Sequence, residues 1–563
     1  MHNDIVGARI GRRGFLRGAA LGGVGLATAA VIGCGDDDGD GDDGELASVG
    51  APTPKKTPVA SSPGKASTPA AAKTAKLVSG RENKSPSMDP NSTALAPVEY
   101  YAVFDPLTRL GVTPNPEPAL ATSWEPFGKD WIFNLRDAEW SDGTPFTAED
   151  VKFSFEYYAN AENKSRLISR VNTQESVTVV DTHTVRIRGT GTDPIMPRRA
   201  ALPYVLPQHI FNAAGGSTAG FSESLATNPV GTGSYVVTDI VQDQSIDFAA
   251  SSSSWRGNVG FTEAQLNIIP EFTTLIAAFE TGDLDWVQRV PATEVARVRG
   301  FPNVETGAPP SLGAQHWDFG NRLAEGGPTN DKRVRQALIS AQDVPLMIDK
   351  VLQGLGSLAT DQIPSDVVFG YSPDKKTIPF DPDVSRQLIK DAGFADGFDL
   401  QVDARLGGDA KAIVEATVGF WSDVGVKSSI NPLEINIWRD RLYGREQRPW
   451  PGAFLAGWIA YLFDASFLYD WYEGDGAYRM WDGADDPTAK RFDDIFSAAI
   501  VELDDEKRAG LYRQINDLFS YDGEAPVSPT YHAQNINAWR VDKIGNYVAR
   551  SFPNLNYDEL VPA

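Results

Sequence analysis

The chain has 563 residues and carries 75 acidic against 51 basic side chains, a formal charge of −24. That balance argues against a nucleic-acid partner, and a chain of this length divides into two or three lobes rather than one core. Its single cysteine, Cys34, excludes an internal disulfide, and the body beyond it has no thiol nucleophile or cysteine-ligated metal.

Residues 1–33 read as an export signal. Arg12-Arg13-Gly14-Phe15-Leu16-Arg17 resembles a twin-arginine motif with Gly11 where Ser or Thr is usual, which leaves the ordinary secretory route open. Ala19 to Val31 is apolar but shorter than the ~20 residues a membrane span needs. Val31-Ile32-Gly33-Cys34 has the form of a bacterial lipobox, so Cys34 is the expected lipidation site and the outer face of the cell membrane the expected location. Residues 34–76 run from glycine and acid to Pro, Ala, Ser, Thr and Lys, a composition that buries too little apolar surface to fold, and they read as a tether.

The body opens with a short strand at Lys76-Leu77-Val78. Trp131, Phe133 and Leu135 alternate with polar neighbours as in a strand. Asp142-Gly143 makes a turn, and Thr147 stands before Ala148-Glu149-Asp150 as the cap of an acidic helix start. Val177–Val180 and Thr184–Ile187 form a hairpin. The Gly231-x-Gly233 pair invites a nucleotide-loop reading, but no third glycine or helix follows, and a turn into a strand at Tyr235 explains it better. Helices are expected over 273–280 with Gly282 as stop, after Asp331, after Asp381, and from about Ala410 to Asp423 before Gly425. Strands alternating with helices argue an α/β fold.

These segments share their wording and order with a known family. WIFNLRDAEWSDGTPFTAEDVKFSFEYY (131–158), NPVGTGSY (228–235), DKRVRQAL (331–338) and Gly457-Trp458 resemble the family 5 extracellular solute-binding proteins, the peptide, nickel and oligosaccharide binders of ABC importers. The resemblance implies a two-lobed periplasmic-binding-protein-like fold of the large class with hinge-linked lobes. It places lobe I at 77–315 with an extra subdomain at about 125–228, lobe II at 316–528, and a return to lobe I over 529–563. It also implies a monomer that captures a solute between its lobes and hands it to a permease with its ATPase.

No enzyme motif is present: HExxH, GxSxG and GxxxxGK are missing, and Ser372-Pro373-Asp374-Lys375 has a proline and a loop setting unsuited to a nucleophile. His2, His183, His209, His316 and His532 are too scattered for a metal cage, and no cofactor is expected. Residues 438–481 hold five tryptophans, five tyrosines and three phenylalanines, so some of these rings are expected to line a cavity while others form core. In peptide-binding members an acid soon after the Gly-Trp pair meets the ligand's ammonium. Here Tyr461 takes that place and Asp464 matches a later acid, a departure that counts against a peptide with a free amino end, since a phenol cannot neutralise an ammonium. Trp458, Tyr461, Asp464, His316, Trp317 and Arg405 are the candidate ligand contacts, with Arg405 able to meet a carboxylate. A peptide is the family default. An oligosaccharide or other neutral or aromatic solute is the alternative, as is a role presenting ligand to a sensor.

Overall fold

The computed structural model describes residues 75–83, 87–92, 98–111, 113, 115–171, 173–309, 312–319, 327–360, 362–372, 378, 380–405, 409–434, 437–438, 441, 452–470, 472–473, 486–551 and 555–563. The expected leader, Cys34 and residues 35–74 of the expected tether lie outside them, while Lys76, expected as the tether's last residue, opens β1. Strand β1 (Lys76–Arg81) is followed by the small hairpin β2 (Thr108–Leu110) and β3 (Pro116–Pro118). Next come β4 (Ala121–Phe127), β5 (Asp130–Leu135), β6 (Gln174–Asp181) and β7 (Thr184–Gly189), which form their own antiparallel sheet in the order β4-β5-β7-β6.

The first large sheet combines β1 with β8 (Tyr235–Val241), β9 (Ser245–Ala250), β10 (Glu263–Ile268), β11 (Trp286–Val287), β12 (Val304–Gly307) and β19 (Asn537–Arg540), in the order β12-β19-β11-β1-β10-β9-β8. The second contains β13 (Gly313–Asp318), β14 (Gly356–Leu358), β15 (Phe398–Arg405), β16 (Val426–Leu433), β17 (Ala453–Ile459) and β18 (Val527–Ala533), in the order β14-β18-β13-β17-β15-β16. The chain changes sheet between the end of β12 at Gly307 and the start of β13 at Gly313, and returns between the end of β18 at Ala533 and the start of β19 at Asn537. The sequence-expected breaks at 315/316 and 528/529 instead fall within β13 and β18, because a ladder of backbone hydrogen bonds commits a whole strand to one sheet.

Local chemistry explains most element ends. Thr147 begins the helix Ala148–Ala159, and the Asp150 carboxylate reaches back to accept from the Thr147 amide at 2.9 Å, so the capping box closes through the acid. Asp331 and Asp381 cap Lys332–Ser340 and Pro382–Asp391 through side-chain oxygens. Gly282, at φ +90°, ends Phe272–Thr281 in the left-handed conformation. Gly231 and Gly233 hold no phosphate loop: a Cβ on Gly231 would lie 1.8 Å from the Val103 carbonyl oxygen, so the pair lets one backbone press against another.

The C-terminal residues are tied in by charge. Arg109 donates to Asp558 through both terminal nitrogens at 2.8 Å, and Arg256 Nε lies 3.2 Å from the same carboxylate while its Nη2 donates to Asp105 at 2.6 Å. Burial pushes the Asp558 carboxyl up, but Arg109 and Arg256 outweigh it and hold it below the usual carboxylate range. Such a group stabilises the fold above its unfolded pKa of about 3.9, and that contribution is lost as pH falls through the lower folded value. Asp558→Asn, which leaves two buried guanidiniums under-compensated, is expected to cost about 3–5 kcal/mol near neutral pH. Urea titrations should show the gap to wild type narrowing below about pH 4; a gap independent of pH would contradict the linkage.

Candidate functional site

The carboxyl ends of parallel strands are where open α/β sheets bind ligands, and two such ends meet here. β1 runs parallel to β10 and β11, and β15 runs parallel to β16 and β17. Glu82 stands one residue beyond β1, Arg405 is the last residue of β15, and Arg405 Nη2 donates to Glu82 Oε1 at 2.7 Å across the two sheets. Glu82 is nearly buried, whereas the Arg405 side chain is 36% exposed. Adjacent charges are committed elsewhere. Arg81 makes a two-pronged pair with Glu99 at 2.9 and 2.6 Å. Asp403 is buried and accepts from Gln401 at 2.8 Å, from Asn431 at 2.7 Å and from Arg441.

Further contacts join the elements on either side. Arg198 donates to the Phe463 carbonyl at 3.1 Å, Thr192 to the Val501 carbonyl at 2.5 Å, and the Ala292 amide to Asp409 at 3.3 Å. Tyr461 lies just past β17, half-buried, its ring edge-on to Phe467 with centroids 5.7 Å apart. Of the residues named from sequence, Tyr461 and Arg405 keep surface that a solute can reach.

Three others do not. Asp464 is fully buried, and its oxygens accept from Arg508 at 2.7 Å, Tyr512 at 3.1 Å and the Ser466 amide at 3.0 Å, with Arg198 at 3.9 Å. That carboxylate is spent on holding the segment after β17 to the helix Asp505–Phe519. His316 and Trp317 are also fully buried in the middle of the second sheet. Trp317 packs against Trp421 at 5.0 Å, and His316 Nε2 lies 3.4 Å from Asp318. Trp458 pairs with Ala314 in the ladder, but its side chain is outside the described residues.

The aromatic excess has the same explanation. Phe454, Phe463, Phe467, Tyr469 and Tyr472 are all buried and belong to one apolar core, and Trp438 stacks on Phe454 at 5.5 Å. Glu82 was not singled out from sequence. Its only signal was an acid next to the end of the opening strand.

Residues 115–479 match the family described as bacterial extracellular solute-binding proteins, family 5 Middle. The chain belongs to this family. It is a solute-binding component of transport rather than an enzyme. Heme-binding protein A of Haemophilus influenzae is 27% identical to this solute-binding protein over 443 residues, 74% of this chain and 79% of that one. The dipeptide-binding protein of Escherichia coli is 24% identical over 470 residues, covering 76% and 84%. Among solved structures, the oligopeptide-binding protein AppA from Bacillus subtilis in complex with a nonapeptide has a TM-score of 0.77 at 18% identity, covering 87% of this chain and 99% of that one. The periplasmic binding protein DppA from Helicobacter pylori in complex with the peptide STSA gives 0.76 at 21%, covering 86% and 98%. These likenesses give the solute-binding protein the two-lobed α/β fold of periplasmic binding proteins.

Trp317→Ala and Asp464→Asn should each lower stability by about 3–5 kcal/mol, as truncation of a buried ring and breakage of a buried ion pair do. Tyr461→Ala should change stability by less than about 1 kcal/mol and weaken solute binding. Guanidinium titrations of the three variants check this; a stable Asp464→Asn with lost binding would return that acid to the ligand site.

Proposed function

We propose that this solute-binding protein is an exported lipoprotein, anchored through Cys34, that captures a peptide or peptide-like solute between its two lobes and delivers it to an ABC permease. The observation that carries the peptide reading is Arg405. It is a guanidinium at a strand end, partly exposed and facing the other sheet, where its planar fork suits a carboxylate. Relatives that bind dipeptides and structures of the same fold holding peptides support it.

Affinity would come from enclosure and from pairing this charge, and specificity from polar groups that a wrong solute leaves unpaired. Closure is a rotation of one lobe against the other. β12 pairs with β19 and β13 with β18, so the two passages of the chain between the sheets, after β12 and after β18, are the place to absorb it. The oligosaccharide alternative draws on the aromatic excess of 438–481, where the described buried rings are core, and on Tyr461 standing where peptide binders carry an acid.

Melting curves of the purified protein with a peptide library and an oligosaccharide panel test the reading. A peptide at 100 times its Kd adds about 2.7 kcal/mol to the folded state, and its curve should shift upward. A shift with oligosaccharides alone would overturn the peptide assignment. For the anchor, Cys34→Ser is expected to move the protein from the membrane fraction to the soluble fraction, and unchanged membrane retention would count against lipidation at Cys34.

A further inference from the structure

We infer that the unit built on the small sheet β4-β5-β7-β6 is a clasp on the segment that follows β17, so that lobe closure, and with it solute affinity, is set by groups that never touch the solute. This rests on capture of a solute between the lobes and holds for a peptide and a sugar alike. Two short helices flank the small sheet, Ile168–Val171 before β6 and Met196–Arg199 after β7. Arg198, in the second, donates to the Phe463 carbonyl at 3.1 Å and lies 3.9 Å from Asp464. Arg170, in the first, lies 3.9 Å from Asp470, with its guanidinium 4.1 Å from the centre of the Phe467 ring. Thr192, just past β7, donates to the carbonyl of Val501, which follows the helix Pro487–Ala499, at 2.5 Å.

These contacts are built to part. The Phe463 carbonyl also accepts from the Phe369 amide at 2.9 Å, and Asp464 also accepts from Arg508 and Tyr512. The Asp470 side chain is 29% exposed and the Arg198 side chain 20%. Separating the two surfaces therefore leaves neither acid without a cation or water, whereas breaking the Arg109 and Asp558 network strands a buried charge. The turn that Arg198 grips is itself buried, so the clasp acts on the lobe and not on a loose loop.

Gly191 marks where the surfaces meet. A Cβ built on it would lie 2.9 Å from Cγ1 of Val501, and apart from its chain neighbours no other described residue comes within 4 Å of that position. Its φ is not in the left-handed region, so glycine is required here by the opposite surface and not by its own backbone. A larger side chain at this position is a wedge between the two surfaces that disturbs neither of them alone.

The test is made on the purified full chain, by calorimetry with a tripeptide library and an oligosaccharide panel and by small-angle X-ray scattering without solute. Gly191→Val and Arg198→Met should each weaken binding of whichever solute the wild type takes, roughly 5- to 150-fold, because only the closed fraction holds it tightly. Both should enlarge the radius of gyration, while their melting curves without solute stay close to wild type. Adding Val501→Gly to Gly191→Val gives back the space that the wedge fills and should recover most of the affinity, which a local folding defect would not allow. Should Gly191→Val fold poorly, Thr192→Val, which loses only the hydrogen bond to Val501, carries the same expectation at the low end of that range. Variants that match the wild type in affinity and radius overturn the inference, and so does a Gly191→Val loss that Val501→Gly leaves in place. Binding of oligosaccharides alone overturns the peptide reading and leaves the clasp standing, because wild type and variants are compared on one solute. If the wild type takes neither class, equal radii overturn the clasp.

Discussion

The first sheet is completed by a strand that arrives at the end of the chain. β19 lies between β11 and β12, pairing Trp539 with Trp286 and with Glu305, so β12 joins the rest of the sheet only through it. Everything that positions the site follows from this insertion. It carries the chain back from the second sheet and brings the final residues to Arg109 and Arg256. Pairings of such large sequence separation are slow to form. At 5–20 residues per second, synthesis of the stretch between β12 and β19 takes on the order of 10–50 s, during which β11 and β12 have no partner in β19. An unpaired edge is an aggregation hazard for that time.

Charge in this protein is used at two depths. At the C-terminal network, buried acids and guanidiniums are matched within one lobe, and their role is to fix the fold. At the strand ends, the Glu82–Arg405 pair crosses between sheets and is less deeply buried on the arginine side. Pairs of the first kind resist exchange because breaking one strands a buried charge. A pair of the second kind keeps its arginine open to solvent.

What was legible in the sequence was local. Thr147 with Asp150, Asp331, Asp381, Gly282 and Gly425 each act within a few residues of themselves, and the helices they bound were expected within a residue or two of where they lie. The candidate site was less legible because its chemistry is set by distant partners. Asp464 resembled a ligand acid until Arg508 and Tyr512, more than 40 residues later, claimed both its oxygens. His316 and Trp317 were named as ligand contacts, but nothing near them in the sequence tells that both lie in a strand where their side chains are buried. Arg405 was singled out because it follows a recognisable strand, and Glu82 was not, because nothing near it in the sequence marks what it faces.

The turn that follows β17 shows one more property of the site. Phe463 adopts φ +54°, a left-handed conformation rare for a bulky side chain and costing about 1–3 kcal/mol. Its ring is buried, its carbonyl accepts from Arg198 and from the Phe369 amide, and its own amide donates to Ala460. The segment bearing Tyr461 is therefore frozen by the core beneath it. A solute that reaches this tyrosine meets a surface already ordered, and little of its binding free energy is spent on stilling the loop.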